Sequence, residues 1–154
     1  MNHNYSILVI SISNPILIGI YDNDILIDTI SQDGKTSDIL PKIFSKVLDK
    51  YLLENIYYVN GPGSYMAIKV AYIFLKTLSI TKNLNLKATD GFNFNENSPI
   101  KALGKKYFFK AQDDKITVDF LNNSEFLKDF KLPQILDKNI FSEDILPNYN
   151  LPAV

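Results

Sequence analysis

A glycine-rich turn that leads from a strand into a helix raises the first chemical question in this sequence. Such a turn cradles phosphate when its backbone N–H groups point at the ligand, and the Walker form adds a lysine and a serine or threonine directly after the last glycine. In NGPGSYM that lysine is missing, Pro62 has no N–H to donate, and Lys69 comes more than a helical turn later. We therefore predict a structural turn rather than a phosphate site. The turn comprises Gly61, Pro62, Gly63 and Ser64.

Nucleophiles with a neighbouring base are absent from the sequence pattern. The chain has no cysteine and one histidine, His3, close to its first residue, so thiolate chemistry and zinc sites built on Cys or His are excluded or nearly so. Ser11, Ser13 and Ser64 have no plausible base nearby. Ser64 is better explained as a helix cap. We predict no catalytic residue and no cofactor.

Carboxylates at strand ends are the ligands with which metal-dependent nucleases and kinases hold a divalent cation. The segments SILVISIS and YYVN, which are predicted to be strands, carry no acid. Asp22 and Asp24 lie in a short segment between strands, where acids commonly form turns. Asp33 and Asp38 lie away from those strand ends, so no metal site is predicted.

The helix after the turn is apolar over most of its circumference. Lys69, Lys76 and Ser79 form a narrow polar stripe with Tyr72 between them. Covering a sheet needs an apolar stripe only about 100° wide, so the excess is either buried against neighbours or forms a partner interface. The predicted partner-binding residues, taken from this helix and the one before it, are Ile43, Val47, Tyr65, Met66, Lys69, Val70, Tyr72, Ile73 and Lys76.

The elements that must position this helix follow from hydrophobic periodicity. Three strands joined by short turns predict an antiparallel meander, and helical crossovers then require the later strands to run parallel to the first. This order is the ribonuclease H-like unit of the actin-like ATPase (ASKHA) superfamily, so that α/β fold is expected. The predicted strands are Tyr5–Ile12, Ile16–Tyr21, Ile25–Ile30, Ile56–Val59 and Asn85–Thr89; the helices are Ile39–Leu53, capped by Ser37 or Asp38, and Ser64–Lys82.

The chain is predicted to divide into a ribonuclease H-like N-terminal domain, residues 1–92, and a shortened C-terminal lobe, residues 101–154. A polar linker, DGFNFNENSP, separates them. The lobe begins with a hairpin of Lys105–Ala111 and Lys115–Leu121 around QDDK. Its KKYFFK segment interleaves basic and aromatic residues, a pattern that fits a half-buried strand better than an RNA-binding surface.

Charge and hydropathy limit the partners and the compartment. The net charge is −1 and the isoelectric point is about 5.8, so no general positive field attracts nucleic acid. The longest apolar runs, Tyr5–Ile12 and Val70–Leu75, are too short to span a bilayer, and MNHNY does not begin a cleavable signal. We expect a cytoplasmic protein without membrane contact.

Five segments, in order, resemble the bacterial TsaB (YeaZ) family. GPGSYMAIKVAYIFLKTLS resembles that family's GPGSFTGLR signature and following helix, with Tyr65, Met66, Ala67 and Lys69 as substitutions. The other four segments are ILVISIS, similar to the opening ILAIDTS; KTSDILP, similar to the entry to the first helix; GKKYFFKA, similar to the hairpin RRGEVYAA; and PNYNLP, similar to the ending P-x-Y-L-R-x-P. By this resemblance the chain is identified as a shortened, divergent member.

The resemblance implies a non-catalytic subunit. TsaB-like proteins pair with a TsaD-like transferase through the helices of their N-terminal halves and act with a TsaE-like ATPase. The complex threonylcarbamoylates the adenosine beside the anticodon of tRNA, with the metal and the chemistry on TsaD, so this chain would contact tRNA only indirectly. Ser11 stands where the family has aspartate, and no histidine lies near Ser37, which favours a scaffold.

Two alternatives from other functional classes remain. The fold class is also that of small actin-like ATPases and kinases, which would bind nucleotide in isolation. The apolar helix would also support self-association as a homodimer when no partner is present.

Overall fold

The computed structural model describes residues 2–122 and 127–150, and the last residues of the predicted C-terminal lobe, 151–154, lie outside it. The first part of the chain forms a mixed five-stranded sheet of strand order β3-β2-β1-β4-β5. β1 pairs antiparallel with β2 and parallel with β4, and β4 pairs parallel with β5. The elements are β1 (Tyr5–Ile10), β2 (Ile16–Asp22), β3 (Ile25–Gln32), α1 (Thr36–Lys50), β4 (Leu53–Val59), α2 (Tyr65–Thr81) and β5 (Asn85–Thr89).

The second part forms a small antiparallel sheet of order β6-β7-β8. Residues 127–150, which we call the C-terminal segment, have little regular structure. The predicted hairpin is confirmed, because β7 and β8 pair around the turn that contains QDDK. The strands are β6 (Ile100–Lys101), β7 (Lys106–Lys110) and β8 (Ile116–Phe120).

The two faces of the five-stranded sheet bury different clusters, because successive side chains of a strand point to opposite faces. On one face, Ile7 and Val9 pack in a cluster with the buried side chains of α1 and α2. On the other face, Leu8 and Ile10 pack with Phe108 of β7 and with the C-terminal segment. The sheet thus lies between the two helices and the C-terminal part of the chain.

The first helix begins three residues earlier than predicted and ends before Leu53, which instead starts β4. Its buried positions, which include Ile39, Ile43 and Val47, recur at helical spacing as predicted. The predicted caps Ser37 and Asp38 are wrong, because both lie inside the first turn and Lys35 occupies the cap position without a side-chain hydrogen bond.

The segment DGFNFNENSP is not the polar linker that its composition predicted. Asp90 accepts a hydrogen bond from the Phe92 N–H at 3.0 Å and caps a short 3-10 helix, Gly91–Phe94. Phe92 and Phe94 are buried in the second cluster. Two aromatic side chains among polar neighbours are enough to anchor this connection to the sheet.

A turn joins β2 and β3 as predicted; Asp24 lies in it, and Asp22 is the last residue of β2. Asn23 and Asp24 have positive φ angles of 50° and 70°, which their short polar side chains tolerate. Asp22 bonds the His3 ring at 2.6 Å, and Asp24 lies 3.2 Å from the Lys138 ammonium.

The C-terminal segment crosses the sheet and binds both of its edge strands. At β3, the Leu26 N–H donates to the Gln134 carbonyl at 2.9 Å. At β5, Ala88 and Ser142 exchange backbone hydrogen bonds of 3.0 and 2.8 Å. Because unpaired strand edges invite association, this segment protects the sheet. Within the described ranges, no helix is both long and apolar enough to cross a membrane.

Tyr21 anchors the C-terminal segment, and its replacement tests that anchor. It is fully buried, and its hydroxyl donates to the Pro133 carbonyl at 2.7 Å. We expect Tyr21→Phe to lower the free energy of unfolding by roughly 1–2 kcal/mol, because the carbonyl loses its partner. Urea denaturation measures the change. Tyr107→Phe, at a half-buried tyrosine of β7, is the matched control, and equal losses in both variants would contradict the assignment.

Stability should also fall at alkaline pH through the buried tyrosines. Burial raises the pKa of Tyr21 and of Tyr58 above the usual tyrosine value. The folded state therefore keeps these protons, while the unfolded chain loses them above about pH 10. The stability that the two protonated tyrosines contribute is fully present below that pH and declines as the pH rises toward the folded pKa. Thermal melts from pH 8 to 11 should show a smaller loss in Tyr21→Phe than in the unmodified chain; parallel losses would refute this origin.

Candidate functional site

The amino-terminal ends of both helices meet at one edge of the five-stranded sheet. β1 and β4 are parallel, so their carboxyl ends lie at the same edge. The turn after β4 leads directly into α2, and α1 begins shortly after β3, which also runs parallel to β1. The predicted turn and partner-binding helix are therefore together in space.

The glycines of the turn are required by close packing. Gly61 has a φ of 134°, and a Cβ there would lie 2.1 Å from the Asn148 carbonyl oxygen. A Cβ on Gly63 would lie 2.9 Å from the Cβ of Ile12. The turn thus lets the C-terminal segment and the loop after β1 approach the start of α2, which supports its structural interpretation.

Ser64 occupies the cap position of α2, as predicted, but its side chain makes no capping hydrogen bond. The following residue, Tyr65, instead stacks on Tyr149 with ring centroids 4.4 Å apart. The helix start is thus held by an aromatic contact with the C-terminal segment and by the packing of the turn.

The excess apolar surface of α2 is divided between the core and solvent. Ile68, Ala71 and Leu75 are buried against the sheet, and the Phe74 ring meets Phe44 of α1 edge-on at 5.4 Å. On the outer face, Met66 is 61% exposed and Ile73 is 53% exposed. Both burial against neighbours and an uncovered apolar face therefore exist on the same helix.

The predicted partner-binding residues do not all reach the surface. Ile43 and Val47 are buried in the helix-side core, because α1 turns that face toward the sheet. Ser79, predicted in the polar stripe, is also buried, and its hydroxyl donates to the Lys76 carbonyl at 2.7 Å. The remaining candidates form one surface, which we call the α2 face: Tyr65, Met66, Lys69, Ile73 and Lys76 are exposed, and Val70 and Tyr72 are half-buried.

An apolar groove of about 330 Å³ separates the α2 face from the start of α1. It contains no charged residue, and its floor is formed mainly by hydrocarbon from both helices. Its lining residues are Thr36, Ser37, Pro41, Val70, Ile73, Phe74 and Thr77. A larger cleft of about 590 Å³ adjoins the groove and shares Thr36, Ser37 and Val70 with it.

Asp90 is a strand-end carboxylate that the sequence reasoning missed. It directly follows β5, and the Asp-Gly pair at the end of this predicted strand was the available signal. One oxygen accepts from the Phe92 N–H, and the other lies 2.6 Å from the Lys110 ammonium of β7. Asp90 therefore ties the small sheet to the large one. The described residues hold no group of three side chains suited to a metal ion.

The KKYFFK segment is the half-buried strand that was predicted. In β7, Phe108 is fully buried, Tyr107, Phe109 and Lys110 are half-buried, and Lys106 at the start of the strand is exposed. The Lys106 ammonium lies 5.4 Å from the centroid of the Phe120 ring on the partner strand. These basic and aromatic residues thus have structural partners within the hairpin.

Solved structures share this architecture. YeaZ from Pseudomonas aeruginosa superposes with a TM-score of 0.61 at 9% sequence identity, over 84% of this chain and 72% of its own. The chain has the fold of YeaZ. A second structure, described as an uncharacterized protein with similarity to peptidase YEAZ from Pseudomonas aeruginosa, gives a TM-score of 0.55 at 9% identity, over 75% of this chain and 63% of that one.

Sequence comparison adds nothing to this, because no family model and no curated protein matches the chain. At 9% identity, the shared YeaZ fold is a statement about architecture. It agrees with the fold that the sequence resemblance implied. The mixed sheet with two helices on one face is the part of that expectation that the structure confirms.

Replacing Gly61 tests the packing explanation for the turn. We expect Gly61→Ala to lower the free energy of unfolding by about 2 kcal/mol or more, because the added methyl collides with a backbone carbonyl and φ is positive. Gly104→Ala is the control: its φ of 59° is also positive, but nothing lies within 4 Å of the new methyl. Chemical denaturation compares the two, and equal losses would exclude the collision as the cause.

Proposed function

We propose that this protein is a TsaB-like, non-catalytic partner subunit with a ribonuclease H-like N-terminal domain. Its role is to pair with a TsaD-like transferase and, with a TsaE-like ATPase, to support threonylcarbamoylation of the adenosine next to the anticodon in tRNA. The transferase supplies the chemistry, and this chain contacts tRNA only through the complex. The protein acts in the cytoplasm.

The observation that carries this proposal is the uncovered α2 face. Met66 and Ile73 point outward from a helix whose opposite side is already buried, and the apolar groove beside them has no charged lining. Exposed apolar surface of this kind marks protein–protein contact sites. The position of the face on a YeaZ-like fold is what connects it to a transferase partner.

The distribution of charge on this surface supports a heteromeric contact. Lys69 and Lys76 are exposed on either side of Ile73 along α2, so an apolar centre has a basic rim. Buried aromatic and aliphatic anchors contribute most of the energy of such interfaces, whereas rim charges mainly set the rate and orientation of association. A partner with an apolar helix flanked by acidic residues would complement it.

Co-purification with the TsaD-like subunit of the same cell tests the pairing, and Ile73→Asp tests the surface. We expect this substitution to weaken pairing at least about thirtyfold, because a carboxylate would be buried at the centre of the interface. Titration calorimetry measures the affinity. Leu52→Asp, at a residue that is 86% exposed after the far end of α1, should leave the affinity unchanged.

Both variants should unfold within about 1 kcal/mol of the unmodified chain, because each replaced side chain is largely exposed. Retained pairing by a folded Ile73→Asp protein would refute the α2 face as the interface. Normal tRNA modification in a deletion strain would refute the function itself.

Self-association is a second candidate that the same exposed face favours. Light scattering of the chain alone, and then with the transferase subunit, separates the two. If a homodimer of this chain dissociates and forms a heterodimer when the subunit is added, the result supports pairing with the transferase. If the homodimer persists unchanged in the presence of the subunit, the result supports self-association.

A further inference from the structure

The end of the C-terminal segment, residues 145–150, lies along the carboxyl end of β4 and reaches the first turn of α2. We call these residues the arm. The Asn60 side-chain amide donates to the Leu146 carbonyl at 2.9 Å, and the Asn148 N–H donates to the Asn60 carbonyl at 2.8 Å. The arm is therefore bonded to the end of β4, separately from the contacts that hold the earlier part of the segment to the sheet edges.

The arm lies on the surface of the molecule. Each of its residues is half-buried or exposed. Besides the two bonds to Asn60, the Tyr58 hydroxyl donates to the Ile145 carbonyl. Segments with few buried contacts open locally at a much lower free energy than the core of a sheet. We therefore expect the arm to open while the sheet and both helices stay folded.

The turn before α2 is shaped to receive the arm. Gly61 leaves room for the Asn148 carbonyl, whose oxygen would lie 2.1 Å from the Cβ of any other residue at this position. The φ of Gly61 is 134°, which also favours glycine. A chance contact between two surfaces would not require such a residue. Docking of the arm is thus built into the native fold.

The start of α2 depends on the arm because the helix has no side-chain cap of its own. Ser64 makes no capping hydrogen bond, and the Ile68 N–H is bonded to the Ser64 carbonyl at 3.0 Å. Uncapped helix ends fray. The ring of Tyr149 stacks on Tyr65, the first residue of the helix, with the centroids 4.4 Å apart. This stack joins the arm to the first turn and opposes its fraying.

The same tyrosine of α2 is also the first residue of the α2 face. Tyr65 remains 54% exposed beside Tyr149, and the neighbouring Met66 is largely exposed. An arm that blocked the surface would bury both side chains. The geometry therefore favours an arm that steadies the α2 face for a partner over an arm that inhibits binding.

We propose that the arm is a latch for the α2 face and that Tyr149 is its positioning residue. The docked arm holds the first turn of α2 in the conformation that the partner binds. When the arm opens, Tyr65 and Met66 lose that conformation and pairing weakens. The effect on pairing rests on the function proposed above, whereas the effect on the helix does not. Because coupling between two sites is reciprocal, the bound partner must stabilise the docked arm by the same factor.

Hydrogen exchange of the isolated chain tests the latch without a partner. We expect Tyr149→Ala to speed exchange of the Ile68 amide at least about tenfold, because the first turn of α2 opens more often. The Leu75 amide, in the middle of the helix, should be unaffected and thereby show that the variant is folded. Tyr149→Phe keeps the ring and should restore the slow exchange. Leu146→Ala, which shortens an exposed side chain of the same arm, is the matched control. Unchanged exchange at Ile68 in Tyr149→Ala would overturn the proposal.

Calorimetric titration with the TsaD-like subunit tests the coupling to the partner. We expect Tyr149→Ala to weaken pairing about tenfold and Tyr149→Phe to restore it. The subunit should slow exchange of the Asn148 amide by about the same factor. Equal binding by the unmodified chain and Tyr149→Ala would overturn the coupling while leaving the proposed function in place. Absence of binding by the unmodified chain would instead overturn the proposed function, and the coupling with it.

Discussion

Parallel pairing of β1 with β4 is the constraint on which the rest of the molecule depends. Two parallel neighbours cannot be joined by a tight turn. Here the chain runs from β1 through β2 and β3 and returns to β4 through α1, which begins at the edge of the sheet where β1 and β3 end. The same geometry applies to α2 between β4 and β5. Both helix beginnings, and both cavities beside them, therefore lie at one edge of the sheet.

The C-terminal segment completes what the sheet leaves open. It bonds to both edge strands and then to the end of β4, where the Asn148 N–H donates to the Asn60 carbonyl at 2.8 Å. This path brings a carbonyl so close to Gly61 that no side chain is tolerated there. The glycine-rich turn and the distant C-terminal segment are thus parts of one packing arrangement, and that arrangement sets how α2 starts.

The apolar character of α2 has two physical origins. One side of the helix covers the sheet, and a second contacts α1 through the Phe44–Phe74 pair, so much of its hydrocarbon is accounted for within the monomer. The surface that remains is continuous with an apolar groove on one side.

Local patterns in the sequence determined most of the elements. Alternating and helical periodicity placed the strands, both helices and the β7–β8 hairpin to within a few residues, because those signals depend on near neighbours. The missing lysine after Gly63 already argued against a P-loop. Only the tertiary structure decided that Ile43 and Val47 belong to the core, that Phe92 and Phe94 anchor the supposed linker, and that Asn148 explains Gly61. It also placed the ring of Tyr149 on Tyr65. These contacts join residues that are far apart in the chain, and such contacts produce no periodic pattern in the sequence from which they could be predicted.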